Sequence, residues 1–353
     1  MSTFIRLAAD DFVLSSDKVF ANAWSDDINA LTSANMFVAS QSFSPVAATN
    51  QKAFRVEVYK EDETNNLNPS SSVQFSVAYG HKQGSGSLLF NASVDGFSAS
   101  RTVYNQYRQL VYGDETQEFT FGGSSDLYNP NDIIVINIDR ARYKQRLKPT
   151  SLNLTLGSGS KSITLLAVDN NLAVANDNPS VTNTESGRQF NIVSGSTTAI
   201  QGSTLVQTNS GSYGYFYPDS GFIVLNVGAL RCETGYLSVT NLTQPSNDTG
   251  SLENSWKLIQ TGSNFVLDSE ETVSSRYIYT RIKNIDFNYT SNPSFLDANG
   301  SIRFTSFGQN PQTYITTIGM YNDNNDLLAV AKLSTPLKKN FTKEYLLTVK
   351  LDF

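Results

Sequence analysis

Hydrophobic and polar residues alternate with a period of two along much of the chain. The segments 54–60 and 73–79 have this alternation, and it returns at 151–156 and 345–353. Since successive side chains of a strand point to opposite faces, such alternation is typical of strands with one buried and one solvated face. The run 133–138 is apolar and β-branched, which favours a strand buried on both faces. The pattern therefore predicts a mostly β protein.

Short turns rich in Asn, Asp, Pro and Gly join pairs of these predicted strands. The three clearest turns are Asn170–Asn171, Pro218–Gly221 and Asn322–Asp326. Proline presets φ for the start of a turn, whereas Gly and Asn tolerate the positive φ that a tight hairpin requires. The alternative for Asn322–Asp326 is part of a calcium loop, but an EF-hand loop also needs a central glycine, a distal Glu and flanking helices. We therefore expect antiparallel hairpins at all three turns.

Helical signals are few along the chain. Short helices are predicted at 26–37 and 251–258, and the segment 101–111 fits either a helix or a strand. We expect an antiparallel β-sandwich core with additional C-terminal strands and few short helices. The expected domains are an N-terminal arm or peripheral segment (1–50), the sandwich core (51–240), a connecting segment (241–275) and a C-terminal β region that can complete the same core (276–353).

The composition of the chain limits the ligands and partners that can be expected. The 353 residues include 26 basic and 32 acidic side chains, one Cys and one His, while Ser, Thr and Asn together make up 109 positions. A single Cys and a single His cannot build an internal disulfide or a Cys/His zinc site, so we predict no metal and no cofactor. The formal charge of −6 argues against nucleic acid as a partner, because that role needs clustered Lys and Arg. No apolar run reaches the length of a membrane span, so no membrane partner is expected.

Two residues are candidates for chemistry. His81 follows a predicted strand in a Gly- and Ser-rich stretch, where it could act as a general base or could bond the local backbone. We favour the second reading, because no nucleophile or orienting acid is marked nearby. Cys232 fits a buried small apolar residue better than a nucleophile. We therefore predict no catalytic residues and no enzyme; a glycan-cleaving enzyme would need two carboxylates facing each other across a cleft.

The densest charge lies in the stretch 140–148, named here the basic segment. Its five basic residues stand at alternate positions: Arg140, Arg142, Lys144, Arg146 and Lys148. In an extended strand all five would share one face. One interpretation is a solvated edge strand, whose charges deter edge-to-edge pairing. The other is a surface that docks on an acidic neighbouring subunit. The sequence leaves both open.

Five segments together resemble a known family. They are 79–86, 138–149, 213–221, 284–293 and, most strongly, 314–334. The chain resembles, over about residues 55–353, the virion structural proteins of T4-like contractile-tailed phages, notably myoviruses that infect cyanobacteria. The resemblance implies a component of the virion, in the tail or baseplate, and it carries no catalytic residues.

Several expectations follow from the resemblance. We expect a virion protein, assembled in the host cytoplasm, whose partners are other virion proteins and copies of itself. The candidate contact residues are the basic segment together with Tyr215 and Tyr217. One alternative is a fibre or adaptor module that binds a receptor or glycan with the aromatic strand 213–217. Another alternative is a head decoration or neck protein.

Overall fold

The computed structural model describes residues 4–38, 55–61, 72–84, 98–121, 130–168, 181–196, 199–200, 212–234, 250–290 and 292–352. The chain divides into two compact units. Unit 1 comprises residues 1–18 and 272–353, and unit 2 comprises residues 19–271. The protein is mostly β, with large antiparallel sheets and few helices, which confirms the predicted fold class.

The described strands are β1 (Phe12–Asn22), β2 (Ala30–Leu31), β3 (Phe37–Val38), β4 (Val56–Tyr59), β5 (Val73–His81), β6 (Asp132–Ile138), β7 (Arg146–Leu147), β8 (Asn153–Ser158), β9 (Lys161–Val168), β10 (Val181–Thr184), β11 (Gly187–Ser196), β12 (Ala199–Ile200), β13 (Gly214–Tyr217), β14 (Phe222–Asn226), β15 (Asn264–Val266), β16 (Asp268–Ile282), β17 (Thr313–Tyr321), β18 (Leu327–Lys339) and β19 (Tyr345–Asp352). The described α-helices are α1 (Ala99–Tyr112), α2 (Val227–Thr234), α3 (Gly250–Gly262) and α4 (Thr305–Gln309).

One large sheet dominates unit 2. Its strands run in the order β2–β15–β8–β9–β11–β13–β14–β6–β5–β4–β3, and β10 and β12 pair with β11 beside this path. The sheet folds back on itself, because Phe75 of β5 and Phe265 of β15 meet with ring centroids 5.3 Å apart although six strands separate them in the sheet. Two facing layers thus enclose the main core, as in a β-sandwich.

The middle of this sheet is buried on both faces. Ile134 and Ile136 of β6 point into the main core, whereas Ile133 and Val135 lie in a second apolar cluster. Helix α1 covers that second face, and its Tyr104 is fully buried. The apolar run 133–138 therefore behaves as its pattern predicts, because each face of β6 has a core to enter.

The N-terminal segment differs from its prediction. Residues 1–50 were expected to form an arm or a peripheral segment, but Trp24, Leu31 and Met36 are buried in the main core of unit 2. The indole Nε1 of Trp24 donates a hydrogen bond to the carbonyl of Phe265 at 2.8 Å. This part of the segment is core, because it fills the space between the two layers of the folded sheet. The predicted helix at 26–37 is also wrong, since β2 and β3 lie there.

The expected connecting segment 241–275 is also part of the core where it is described. Helix α3 and strand β15 lie within it, and their Trp256 and Phe265 are buried. The predicted helix at 251–258 is confirmed and is longer, whereas 101–111 resolves as helix α1. The Ser98 hydroxyl caps α1 by accepting from the Arg101 amide at 3.3 Å.

Unit 1 has a smaller interior. Strands β16 and β19 pair antiparallel from Ser275↔Asp352 to Ile282↔Tyr345, and β17 and β18 form a separate two-stranded sheet. The buried hydrophobic side chains of its described part are Ile278, Ile282, Leu347 and Val349. Its residues are absent from both apolar clusters described above. Unit 1 therefore has far less apolar packing than unit 2.

Two of the three predicted hairpins are confirmed. Gly221, in the turn between β13 and β14, has φ +75°, and Asn325, in the turn between β17 and β18, has φ +65°. Gly and Asn are the residues that adopt this left-handed conformation at least cost. The predicted hairpin at Asn170–Asn171 lies outside the described residues.

Candidate functional site

The basic segment is not one continuous strand. Arg140–Arg142 form a single 3₁₀ turn, in which the Asp139 carboxylate accepts from the Ala141 amide at 2.9 Å. The chain then extends into β7, which pairs antiparallel with the start of β16 and places Arg146 opposite Glu270. Because of the turn, the five basic side chains do not share one strand face. The single-face arrangement that an extended strand would give is therefore absent.

Acidic residues of β16 neutralise the second half of the segment. Lys144 Nζ lies 2.9 Å from a Glu271 carboxylate oxygen, and Arg146 Nε lies 3.0 Å from Glu270 Oε1. Lys148 forms the same kind of contact with Asp268 at 3.8 Å. Burial raises the pKa of Asp268, and the Lys148 charge partly offsets that effect. Three of the five basic residues are thus in ion pairs within unit 2.

These three pairs differ in exposure. The Lys144 side chain is 80% exposed, whereas those of Arg146 and Glu270 are 27% and 7% exposed. Exposed ion pairs contribute little to stability, and buried ones become costly when a partner is removed. Arg146 is therefore part of the structure of unit 2, and Lys144 remains on its surface.

The first half of the segment binds its own chain. The Arg140 guanidinium lies 4.5 Å from the ring centroid of Tyr143 and donates to the carbonyls of Tyr143 and Lys144. Arg142 donates to the Ser25 hydroxyl. These bonds hold the 3₁₀ turn closed. Of the five basic residues, Arg140 and Lys144 are the two that the structure leaves exposed.

The two predicted contact tyrosines are core residues. Tyr215 and Tyr217 of β13 are buried, and their hydroxyls donate to the Thr120 carbonyl and to Gln189 Oε1, each at 2.8 Å. Burial raises the pKa of both phenols. The Tyr217 ring stacks on Phe222 with centroids 4.5 Å apart. The prediction that these tyrosines contact a partner is therefore wrong for this structure, because every second residue of β13 faces α1 and its cluster.

His81 ends β5 in a buried polar cluster. Its Nδ1 accepts from the Gln83 amide at 3.1 Å, which confirms the predicted bond to the local backbone. Asp132 lies opposite His81 in the sheet, and one of its carboxylate oxygens accepts from the Tyr79 hydroxyl at 3.1 Å and from Arg231 at 3.2 Å. The cluster joins β5, β6 and α2 through one shared carboxylate.

The electrostatics of this cluster favour a neutral imidazole. Burial lowers the pKa of His81; the Asp132 charge opposes this effect and the Arg231 charge adds to it. His81 is 1% exposed in this structure. The geometry is that of a polar cluster whose hydrogen bonds link the end of β5 to β6 and α2. Cys232 lies in α2, and its side chain is outside the described residues.

A third surface, which the sequence analysis did not single out, lies on the β17–β18 hairpin of unit 1. Leu328 and Val330 are 68% and 57% exposed, and Tyr321 is also exposed. Val330 lies opposite Gly319 in the sheet, and Tyr321, two residues beyond Gly319 in β17, shares that face. The ladder shifts register after Met320, so Tyr321 pairs with Leu327 and Leu328 lies at the irregularity. The sequence predicts this hairpin but not the exposure of Leu328 and Val330; the Tyr321 ring also packs edge-on against Phe4, with centroids 5.3 Å apart.

Within the described residues, no group of three or more His, Cys, Asp or Glu residues is arranged to hold a metal ion. No helix among them combines the length and apolarity required to cross a membrane. Comparisons of the chain with family models, with curated proteins and with solved structures gave no match. The fold and the surfaces described above define a mostly β protein with one large core and one weakly packed, partly apolar unit.

Proposed function

We propose that this chain is a structural component of a tailed-phage virion, in the tail or baseplate, and that it mediates contacts between subunits. The observation that carries this proposal is the exposed apolar surface of the β17–β18 hairpin, which includes Leu328, Val330 and Tyr321. Exposed apolar patches on an otherwise polar surface are characteristic of protein–protein contact sites. The resemblance of residues 314–334 to virion structural proteins falls on this same hairpin.

The contrast between the two units supports an assembly role. Unit 2 has two apolar clusters and a sheet that folds over them, so its apolar side chains are packed within the unit. A two-stranded hairpin is marginal in water unless its apolar face packs on something. An assembled particle would supply that packing, and it would require neither a cofactor nor a catalytic residue.

Two exposed basic residues give weaker support to the same proposal. Arg140 and Lys144 are the basic-segment residues that remain exposed, so they can meet an acidic neighbour. The proposed partners are other virion proteins and copies of this chain, without nucleic acid or membrane. Binding of a glycan by the aromatic strand loses its support, because Tyr215 and Tyr217 are buried.

Immunogold labelling of purified particles with an antibody against this chain tests the proposal. Label at the tail or baseplate would support it. Label on the head or neck would favour the decoration or neck alternative, and particles that carry no label would overturn the virion role. The antibody must first detect the purified chain added back to particles, so that a lost epitope is not mistaken for absence.

A pair of matched variants tests whether the hairpin makes the contact. Leu328→Ser with Val330→Ser should reduce incorporation of the chain into particles by more than tenfold. Leu110→Ser is the control, since Leu110 is an exposed apolar residue of α1 in unit 2. Equal incorporation of both variants would exclude the hairpin as the contact surface.

A further inference from the structure

Strand β17 presents an edge without the usual protection. Its nine residues, Thr313–Tyr321, contain no charge and no proline, and most are β-branched or aromatic. Among the described strands β17 pairs with β18 alone, so its other edge carries backbone groups that no described strand bonds. Long, uncharged edge strands of this composition readily pair with another chain.

Strand β18, in contrast, has features that hinder pairing with a further strand. It carries Lys332, Pro336 and Lys338, and the ladder between the strands is interrupted beyond Ile315↔Leu337. Lysine and proline on an edge strand both hinder pairing with a further strand, and irregularities of the ladder do the same. Among the described residues, the hairpin is therefore protected along the β18 edge and left without a pairing strand along the β17 edge.

We propose that the open edge of β17 pairs antiparallel with β17 of a second copy of this chain. The result is a four-stranded sheet across two copies, in the order β18–β17–β17–β18, with the same surface used by both. The inference deepens the proposed assembly role, because it names one partner and one contact, and it rests on that role only for its place in a particle.

Charge along the hairpin matches this arrangement. The turn carries Asp323 and Asp326, and the opposite end carries Lys338, which pairs with Tyr314. Antiparallel pairing brings the acidic turn of one copy towards the basic end of the other, at both ends of the contact. A parallel arrangement would bring the two acidic turns together. Opposite charges at the two ends thus favour a second copy in the antiparallel direction.

The apolar face gains from the same pairing. Tyr321, Leu328 and Val330 are exposed near the turn of the hairpin. In the four-stranded sheet, the two copies present the same face to one side, with the apolar residues of each copy near its own turn. Three or more strands with an apolar face reach the stability that an isolated hairpin lacks.

Sedimentation velocity of the purified full chain tests the proposal. The 38.8 kDa chain should sediment as a dimer in the micromolar range. Thr316→Lys, which adds a charge to the exposed centre of β17, should weaken the dimer by at least tenfold. Ser334→Lys, at an exposed position of β18, should leave it unchanged. A wild-type chain that stays monomeric throughout this range would overturn the proposal, and so would an equal effect of both variants.

Hydrogen exchange locates the contact independently of the variants. Amides of Thr313–Tyr321 should become more protected as the protein concentration rises, and those of Ser334 and Thr335 should not. A dimer with unchanged exchange in β17 would refute the edge as its contact. The two proposals fail separately: a dimer that is missing from particles contradicts the virion role alone, and a monomer found in particles contradicts this inference alone.

Discussion

The ion pair between Arg146 and Glu270 offers the sharpest test of how the basic segment works. Arg146 Nε lies 3.0 Å from Glu270 Oε1, and the Glu270 side chain is 7% exposed. At that distance two unit charges attract by about 5 kcal/mol at an effective dielectric constant near 20. Replacing Arg146 by Met keeps the apolar stem but removes the charge, so Glu270 stays buried without this cation.

The expected cost follows from burial. Removing one member of a buried pair lowers the free energy of unfolding by about 3–5 kcal/mol. Because the Arg146 side chain is 27% exposed, water screens part of the attraction, and we expect about 2–4 kcal/mol. Lys144→Met is the matched control, since Lys144 is 80% exposed beside Glu271. It should cost less than about 1 kcal/mol.

Urea unfolding followed by tryptophan fluorescence measures the effect in the relevant unit. The chain has two tryptophans, and both Trp24 and Trp256 are buried in unit 2. The fluorescence transition therefore reports the unit that holds Arg146, even if unit 1 unfolds separately. The double variant Arg146→Met with Glu270→Met should recover most of the loss, because an apolar pair of similar size replaces the charges.

Two results would refute this reasoning. Equal losses for Arg146→Met and Lys144→Met would mean that burial does not distinguish the two pairs. A double variant no more stable than Arg146→Met would mean that the loss of stability comes from altered packing. It would not come from leaving the buried Glu270 carboxylate without the Arg146 charge.

Two further outcomes are expected from unit 2. Burial lowers the pKa of His81, so its unfolded form binds a proton more readily; stability should be complete above about pH 6.5 and fall as the pH drops below it. His81→Gln should flatten that fall in urea midpoints measured from pH 8 to 5, and an unchanged slope would contradict the assignment. Gly221→Ala should cost about 1–3 kcal/mol, since φ is +75° and an added Cβ would collide with Tyr143. Gly159→Ala, at φ +61° with nothing within 4 Å, should cost about 1 kcal/mol; equal losses in thermal or urea unfolding would exclude the collision.

The elements that the sequence predicts well are those that local pattern determines. Both faces of the run 133–138 are apolar, so both must be buried. The structure has an apolar cluster on each face of β6. Gly221 and Asn325 adopt the left-handed conformation that their turns require. In each case the information lies within a few residues of the element itself.

What the sequence did not predict depends on partners far along the chain. Arg146 and Glu270 are 124 residues apart, and Trp24 bonds Phe265 across 241 residues. Alternating charges in 140–148 fit a free surface and an internal ladder equally well, because no local signal identifies the acids of β16. The aromatic strand 213–217 was ambiguous for the same reason: a strand with an exposed face and one buried on both faces can share a composition.

These long-range contacts change how a docking role can be tested. Reversing the charge of Arg142, Lys144 and Arg146 together would place an acid at position 146 against the buried Glu270. Two like charges there would destabilise unit 2, so failure to assemble would report unfolding rather than lost docking. Lys144→Glu alone changes an exposed position. If that variant unfolds like the wild type but no longer enters particles, the basic segment docks on a neighbour; if it assembles normally, Lys144 is not part of the contact.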